Sequence, residues 1–199
     1  ITDSTPTSIR KLKPHIYLLQ LKKDGYVEWK KRLDVFANAT TFVTDVHLFP
    51  ELNPQKISDN NDIKNYIKQK VKYDRNRLSM HVRNSPNFVL CEDEKSAIIF
   101  DTFSISKYSL DQDSNTPQNS AADYDAAEIL LRSSVPIIAV ECIGDNSYIL
   151  AALENEIRII ELDTRDEINT INLAIKPAEI AVSKGGEYAL IFGIFQNSK

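Results

Sequence analysis

The chain has few of the residues from which reactive sites are usually built. Its 199 residues include five glycines, two cysteines and three histidines. Gly185-Gly186 is not followed by Lys and Ser or Thr, so a phosphate-binding loop is absent. The histidines lie far apart without Cys or His at ligand spacing, and no Gly-x-Ser-x-Gly motif occurs. We therefore expect no enzyme, no metal site and no cofactor.

Long apolar runs and an excess of positive charge are also missing. No stretch of about 18 apolar residues occurs, so we expect no membrane span. The first residues lack a basic segment followed by an apolar one, and we expect no signal peptide. The formal charge of -4 gives nucleic acid or anionic lipid no general attraction.

The two cysteines, Cys91 and Cys142, lie in predicted strands and are flanked by apolar residues. Two cysteines could pair, but a free buried cysteine behaves as a small hydrophobic residue. We expect free thiols and a reducing compartment, so a cytoplasmic or nuclear protein. A glycosylation sequon, Asn38-Ala39-Thr40, would matter only in a secreted chain.

The first part of the chain predicts β-structure. An apolar run at residues 15–21 is followed by Asp24-Gly25 and then by a second run from Tyr26 to Trp29. Asp-Gly between apolar runs is a strong hairpin signal. Residues 40–49, rich in Thr, Val and Phe, predict a further strand that prolines end.

Two later segments depart from this pattern. Apolar residues at helical spacing predict a surface helix at about 57–74, which either packs as an insertion or presents a basic face to a partner or phosphate. The segment at about 111–125 is rich in Ser, Asn, Asp and Gln and predicts a mobile surface loop. Its opening resembles a calcium loop, but Thr116 and Ala122 replace the required Gly and Glu, so we expect no calcium.

Residues 136–195 carry the clearest pattern, with short apolar segments separated by turn residues. Between the predicted helix and the predicted polar loop, alternation at residues 78–82 and short apolar runs at 88–91 and 97–100 predict three more strands. The strands predicted from Pro136 onward cover residues 137–143, 147–152, 157–162, 168–173, 178–182 and 188–192.

This pattern resembles the WD40-type repeat. Gly144-Asp145-Asn146 stands at the first turn of a unit, and Ile160-Glu161 stands where Trp-Asp would end the third strand. Phe100-Asp101 holds the Trp-Asp place in an earlier unit, and residues 15–33 fit the last strands of a still earlier one. Pro136 and Pro177 open equivalent strands 41 positions apart, which is the usual blade length of about 40 to 45 residues. Phe100-Asp101 and Ile160-Glu161 are 60 positions apart, and the polar loop at about 111–125 supplies most of the excess. Trp-Asp itself never occurs, and Ser133-Ser134 replaces the usual Gly-His pair.

The resemblance implies a mainly β fold: residues 1–199 would form a single, partial β-propeller domain. It implies a protein–protein interaction scaffold that binds other subunits of a larger assembly. One alternative is a small-ligand or enzyme site in a propeller channel. Another is a nucleic-acid or phosphoinositide module that uses basic strand edges, formed by Lys11, Lys13, Lys22, Lys23, Lys30, Lys31 and Arg32.

The stacking of such sheets predicts which side chains are buried between neighbours. The alternation within the predicted strands selects six residues: Ile138, Val140, Ile149, Ala151, Ile157 and Ile159.

Overall fold

The computed structural model describes residues 4–44, 46–51, 85, 87–91, 96–109, 127–143, 147–173, 175–182 and 189–195. Every regular element in these residues is a β-strand, and all the strand pairs are antiparallel. The mainly β prediction is therefore confirmed. The helix predicted at 57–74, the strand at 78–82 and the loop at 111–125 lie outside the described residues.

The chain divides into two compact units. The first unit comprises Ile1–Glu51 with Arg165–Glu167, and the second comprises Leu52–Thr164 with Ile168–Lys199. Whether residues 1–199 fold as one domain stays a prediction.

The first unit contains the expected hairpin, formed by β1 (His15–Leu21) and β2 (Trp29–Val35). The Tyr26 N–H donates to the Lys23 carbonyl at 3.0 Å, and Gly25 adopts a φ of 75° in the turn between them. A positive φ at the third residue of a turn favours glycine, which explains the Asp-Gly signal. The second strand begins at Trp29 rather than Tyr26, because Tyr26 pairs with Pro50.

The prediction of a strand at residues 40–49 is wrong, because no regular strand occupies the described residues of this stretch. The end of this stretch bonds the connection between β1 and β2, where the Val27 N–H donates to the Phe49 carbonyl at 2.8 Å. Pro50 has no N–H to continue a ladder. The Thr41 hydroxyl donates to the Asp34 carbonyl at 2.6 Å, the kind of local bond that competes with strand pairing.

The second unit contains two four-stranded meanders and a hairpin. The first sheet comprises β3 (Phe88–Leu90), β4 (Ser96–Phe100), β5 (Ser104–Ser109) and β6 (Glu128–Arg132). The second sheet comprises β7 (Ile137–Ile143), β8 (Tyr148–Leu153), β9 (Ile157–Glu161) and β10 (Thr170–Leu173). The final hairpin comprises β11 (Ile175–Val182) and β12 (Ala189–Phe195). The strands predicted from residue 88 onward are thus confirmed, with ends shifted by a few residues.

The first sheet corrects one assignment. Phe100-Asp101 was expected at the end of a third strand, but it ends β4, the second strand of its meander. The third and fourth strands, β5 and β6, were not predicted. The sequence of β5 is Ser-Ile-Ser-Lys-Tyr-Ser, which offers too little apolar character to signal a strand.

The core of the second unit lies between its two four-stranded sheets, where Ile98 and Ile105 of the first sheet meet Ile149 and Ile160 of the second. All six residues of β8 are buried. Because successive side chains of a strand point to opposite faces, β8 must be covered on both sides. Strand β11, which lies against β7 and β8, covers the second side and buries Ile175 in doing so.

Five of the six residues predicted to be buried are buried, namely Val140, Ile149, Ala151, Ile157 and Ile159. The prediction for Ile138 is wrong, since this side chain is 46% exposed. The pairing of β7 with β8 shifts register between Ile137 and Ala139. Such a bulge inserts one residue and reverses the alternation. Ile137 is therefore buried in place of its neighbour.

The prediction of free cysteines is also wrong, because Cys91 and Cys142 form a disulfide with a Cα–Cα distance of 5.5 Å. Cys91 directly follows β3 and Cys142 lies in β7, so the bond joins the two four-stranded sheets. The apolar flanks that suggested isolated thiols arise because both cysteines face the core between these sheets.

Two isoleucines of the second sheet, the buried Ile159 and the exposed Ile138, provide a matched test of this packing. We expect Ile159→Asp to unfold the second unit, since an unpaired buried carboxylate costs several kcal/mol. Ile138→Asp should stay within about 1 kcal/mol of wild type, because its position is exposed. Chemical denaturation followed by circular dichroism checks both variants. Equal stability of the two would contradict the burial pattern.

Candidate interaction surface

The structure offers neither a metal centre nor a membrane span among the residues it describes. No group of three or more His, Cys, Asp or Glu side chains in that part of the chain could hold a metal ion. Nor do those residues contain a helix that is long and apolar enough to cross a membrane.

The main candidate is a surface made by turns at one end of the two four-stranded sheets, which we name the turn ridge. It comprises residues 101–103 between β4 and β5, residues 133–136 between β6 and β7, and residues 154–156 between β8 and β9. In antiparallel meanders, alternate turns emerge at the same end. The connection between the sheets therefore lies beside the middle turn of each.

Backbone hydrogen bonds join the three parts of the turn ridge. The Ser133 N–H donates to the Phe103 carbonyl at 2.8 Å, and the Ile137 N–H donates to the Thr102 carbonyl at 2.8 Å. On the other side, the Glu154 N–H donates to the Pro136 carbonyl at 2.9 Å. The ridge thus has fixed backbone partners along its length, unlike a set of independent loops.

Asp101 organises the first turn of the ridge. Its carboxylate accepts hydrogen bonds from the Phe103 N–H at 2.7 Å and from the Ser104 N–H and hydroxyl at 2.8 and 2.7 Å. These bonds, the Ser104 hydroxyl first, lower the pKa of Asp101, and the charge of Arg132 contributes in the same direction. Since its carboxylate is held by the chain's own donors, Asp101 is a structural residue of the turn.

Ser133 performs a similar task in the connection between the sheets. Its hydroxyl donates to the Val135 carbonyl at 2.8 Å and accepts from the Val135 N–H at 3.0 Å. Ser133 belongs to the Ser133-Ser134 pair that occupies the position of Gly-His in a typical WD40 repeat. The local bonds hold the connection in a tight bend.

An open depression of about 520 Å³ lies on the ridge, lined by residues 101–104 with Arg132 and Ser133. The Phe103 side chain beside it is 50% exposed, and Arg132 is exposed as well. An aromatic ring and a guanidinium group next to a shallow hollow suit contact with another macromolecule.

Glu161, the residue expected in the Trp-Asp position, is buried at the end of β9. Its carboxylate accepts from the Asn169 N–H at 3.2 Å and from the Asn169 side-chain amide at 2.8 Å. Glu161 therefore secures the connection from β9 to β10 and has a structural role.

The basic residues of the first unit do not form an open cationic patch. Lys22 and Lys30 lie 2.8 and 2.6 Å from the two oxygens of Glu28, whose pKa these hydrogen bonds lower. Lys23 lies over the Tyr26 ring at 3.9 Å.

The next two basic residues also have partners. Lys31 is buried, with its amine 6.0 Å from the centre of the Trp29 ring. Arg32 makes ion pairs with Asp166 at 3.3 Å and with Glu167 at 3.2 Å. Of the basic residues in this cluster, Lys11 and Lys13 are exposed and make no ion pair or ring contact within the described part of the chain.

Sequence reasoning missed the turn ridge because its key residues are common polar ones. Asp101 followed by Ser104 is a turn pattern in which an aspartate accepts from the backbone two and three residues onward. The sequence contains this turn pattern, but the resemblance to a WD40 repeat placed Phe100-Asp101 at the end of a third strand instead.

Comparison with known proteins gives one match. Residues 2–50, which include the hairpin assigned from sequence to an early blade, match the model of the PEGA domain. The chain matches no curated protein and no solved structure.

The lowered pKa of Asp101 predicts a pH dependence. A carboxyl group whose pKa is lower in the folded state stabilises that state above its unfolded pKa, and the effect is lost as pH falls through the folded pKa. Asp101→Asn should therefore be less stable than wild type at pH 6. The difference should shrink below about pH 4. Thermal unfolding at several pH values measures this, and a difference that does not change with pH would contradict it.

Proposed function

We propose that this chain is a protein–protein interaction scaffold and forms part of a larger multi-subunit assembly. In this proposal its second unit is a stretch of WD40-like propeller blades, and the turn ridge is the surface that meets a partner. The observation that carries the proposal is the exposed Phe103 on a hydrogen-bonded ridge.

The stacking of the sheets supports propeller blades. Two consecutive four-stranded meanders pack face to face, and the hairpin of β11 and β12 starts a third layer against the second. A propeller repeats this arrangement around a ring of four to eight blades. On this proposal the remaining blades come from further chain or from another subunit.

The character of the turn ridge supports a binding role. Its backbone is already ordered, so a partner would not have to fix the conformation of these turns on binding. Phe103 supplies apolar area, and Arg132 supplies a cation that can pair with a carboxylate across an interface.

The alternatives have less support from the described residues. The basic residues proposed for nucleic acid or phosphoinositide binding are largely engaged by Glu28, Asp166, Glu167 and aromatic rings. A channel site would need polar side chains converging from several blades, and no observation in the described part of the chain favours one.

The proposal predicts that two substitutions on the ridge remove the same partners. Phe103→Ser and Arg132→Ala, each in the full-length protein, should weaken partner binding about tenfold or more, because buried aromatic and arginine side chains dominate interfaces. Ile129→Ser is the matched control, since Ile129 is exposed on the first sheet outside the ridge. Affinity capture with quantitative mass spectrometry compares the three variants with wild type. Retention of all partners by both ridge variants would contradict the proposal.

The nucleic-acid alternative has its own measurement. On the scaffold proposal, the chain should show no measurable affinity for single-stranded RNA, duplex DNA or phosphoinositide vesicles at physiological salt. Tight binding whose affinity falls steeply with salt concentration would favour the alternative instead.

A further inference from the structure

The disulfide provides an inference that is independent of the proposed function. Cys91 and Cys142 are the only cysteines of the chain, and both are used in this one bond. Cys91 is 0% exposed, and Cys142 packs against the same core cluster. The bond therefore lies inside the contact between the two four-stranded sheets.

The position of the bond marks it as structural. Redox-sensing and catalytic cysteines need solvent access, because a thiolate must meet its oxidant or reductant. Cys91 has no such access in the folded chain. In reducing compartments the disulfides that occur are mostly transient ones of the reactive kind, whereas buried structural disulfides are typical of oxidising compartments.

We propose that this chain matures in an oxidising compartment outside the cytosol. There an oxidant that itself carries a disulfide oxidises the two thiols and forms the Cys91–Cys142 bond. The expectation of a cytoplasmic or nuclear location rested on free thiols, and the disulfide removes that basis. On this proposal the protein is secreted, periplasmic or lumenal, and the disulfide joins its two four-stranded sheets covalently.

The chemistry balances as two thiol–disulfide exchanges. One cysteine thiolate attacks the oxidant's disulfide and forms a mixed disulfide, which releases one oxidant thiolate. The second cysteine thiolate then attacks the sulfur of the first, and the second oxidant thiolate leaves. The chain loses two protons and two electrons, and the oxidant's disulfide is reduced to a dithiol.

Burial also sets the order of events. Because Cys91 is inaccessible once the sheets have packed, an oxidant that attacks Cys91 first must act before the sheets close over it. The same burial shields the Cys91 sulfur from a reductant until the second unit opens.

The redox state in the source cells tests the proposal directly. Cells are lysed into denaturant with N-ethylmaleimide, and the full chain is examined by intact mass spectrometry before and after reduction. We expect no alkylation before reduction and two alkylated cysteines after it. Two alkylated cysteines before reduction would overturn the proposal. Recovery of the oxidised chain with soluble cytosolic markers would overturn the compartment even if the bond is present.

A comparison of the thermal stability of the oxidised and reduced chains tests the structural role of the disulfide and does not depend on the compartment. Reduction of the purified chain in denaturant, followed by refolding, should lower the Tm by roughly 10 °C, because the bond closes a long loop. The variant with Cys91→Ala and Cys142→Ala should show a similar loss and no further response to reductant. A Tm unaffected by reduction would overturn the structural role, whether or not the alanine variant folds.

Discussion

The second unit depends on the burial of β8 from both sides. Six consecutive residues, each 4% exposed or less, lie between the first sheet on one side and β11 on the other. Full burial of a large aliphatic or aromatic side chain contributes about 1.5–3 kcal/mol, and β8 buries four of them, namely Tyr148, Ile149, Leu150 and Leu153. A one-residue slip of β8 would exchange its two faces and spoil both contacts.

The other features of the second unit follow from this stacking. The sheets must lie face to face for Cys91 to reach Cys142, and the disulfide then holds the contact that β8 has made. The same stacking brings the middle turns of the two sheets beside the connection between them, where backbone hydrogen bonds join them into the turn ridge. The proposed binding surface thus results from the packing of the two sheets and needs no additional strands or helices.

The sequence predicted the parts of the fold in which hydrophobicity dominates. Strands β7 to β9 were found because their apolar runs are long and bounded by turn residues. Strand β5 was missed because serine and lysine fill most of its positions and leave too few apolar residues to indicate a strand. The exposure of Ile138 was missed because the alternation of apolar residues does not reveal a β-bulge. The disulfide was missed because pairing depends on which strands are neighbours, and one sequence does not give that. The turn ridge shares this limit, since only the sheet topology brings Ser133 to the Phe103 carbonyl.

Hydrogen exchange measured residue by residue in the native chain tests the double-sided burial of β8 most directly. Amides of β8 should exchange only through global unfolding of the second unit, and more slowly than those of the outer strands β6 and β10. Exchange in β8 as fast as in those outer strands would show that the strand is not enclosed, and it would contradict the stacked arrangement on which the fold, the disulfide and the turn ridge all depend.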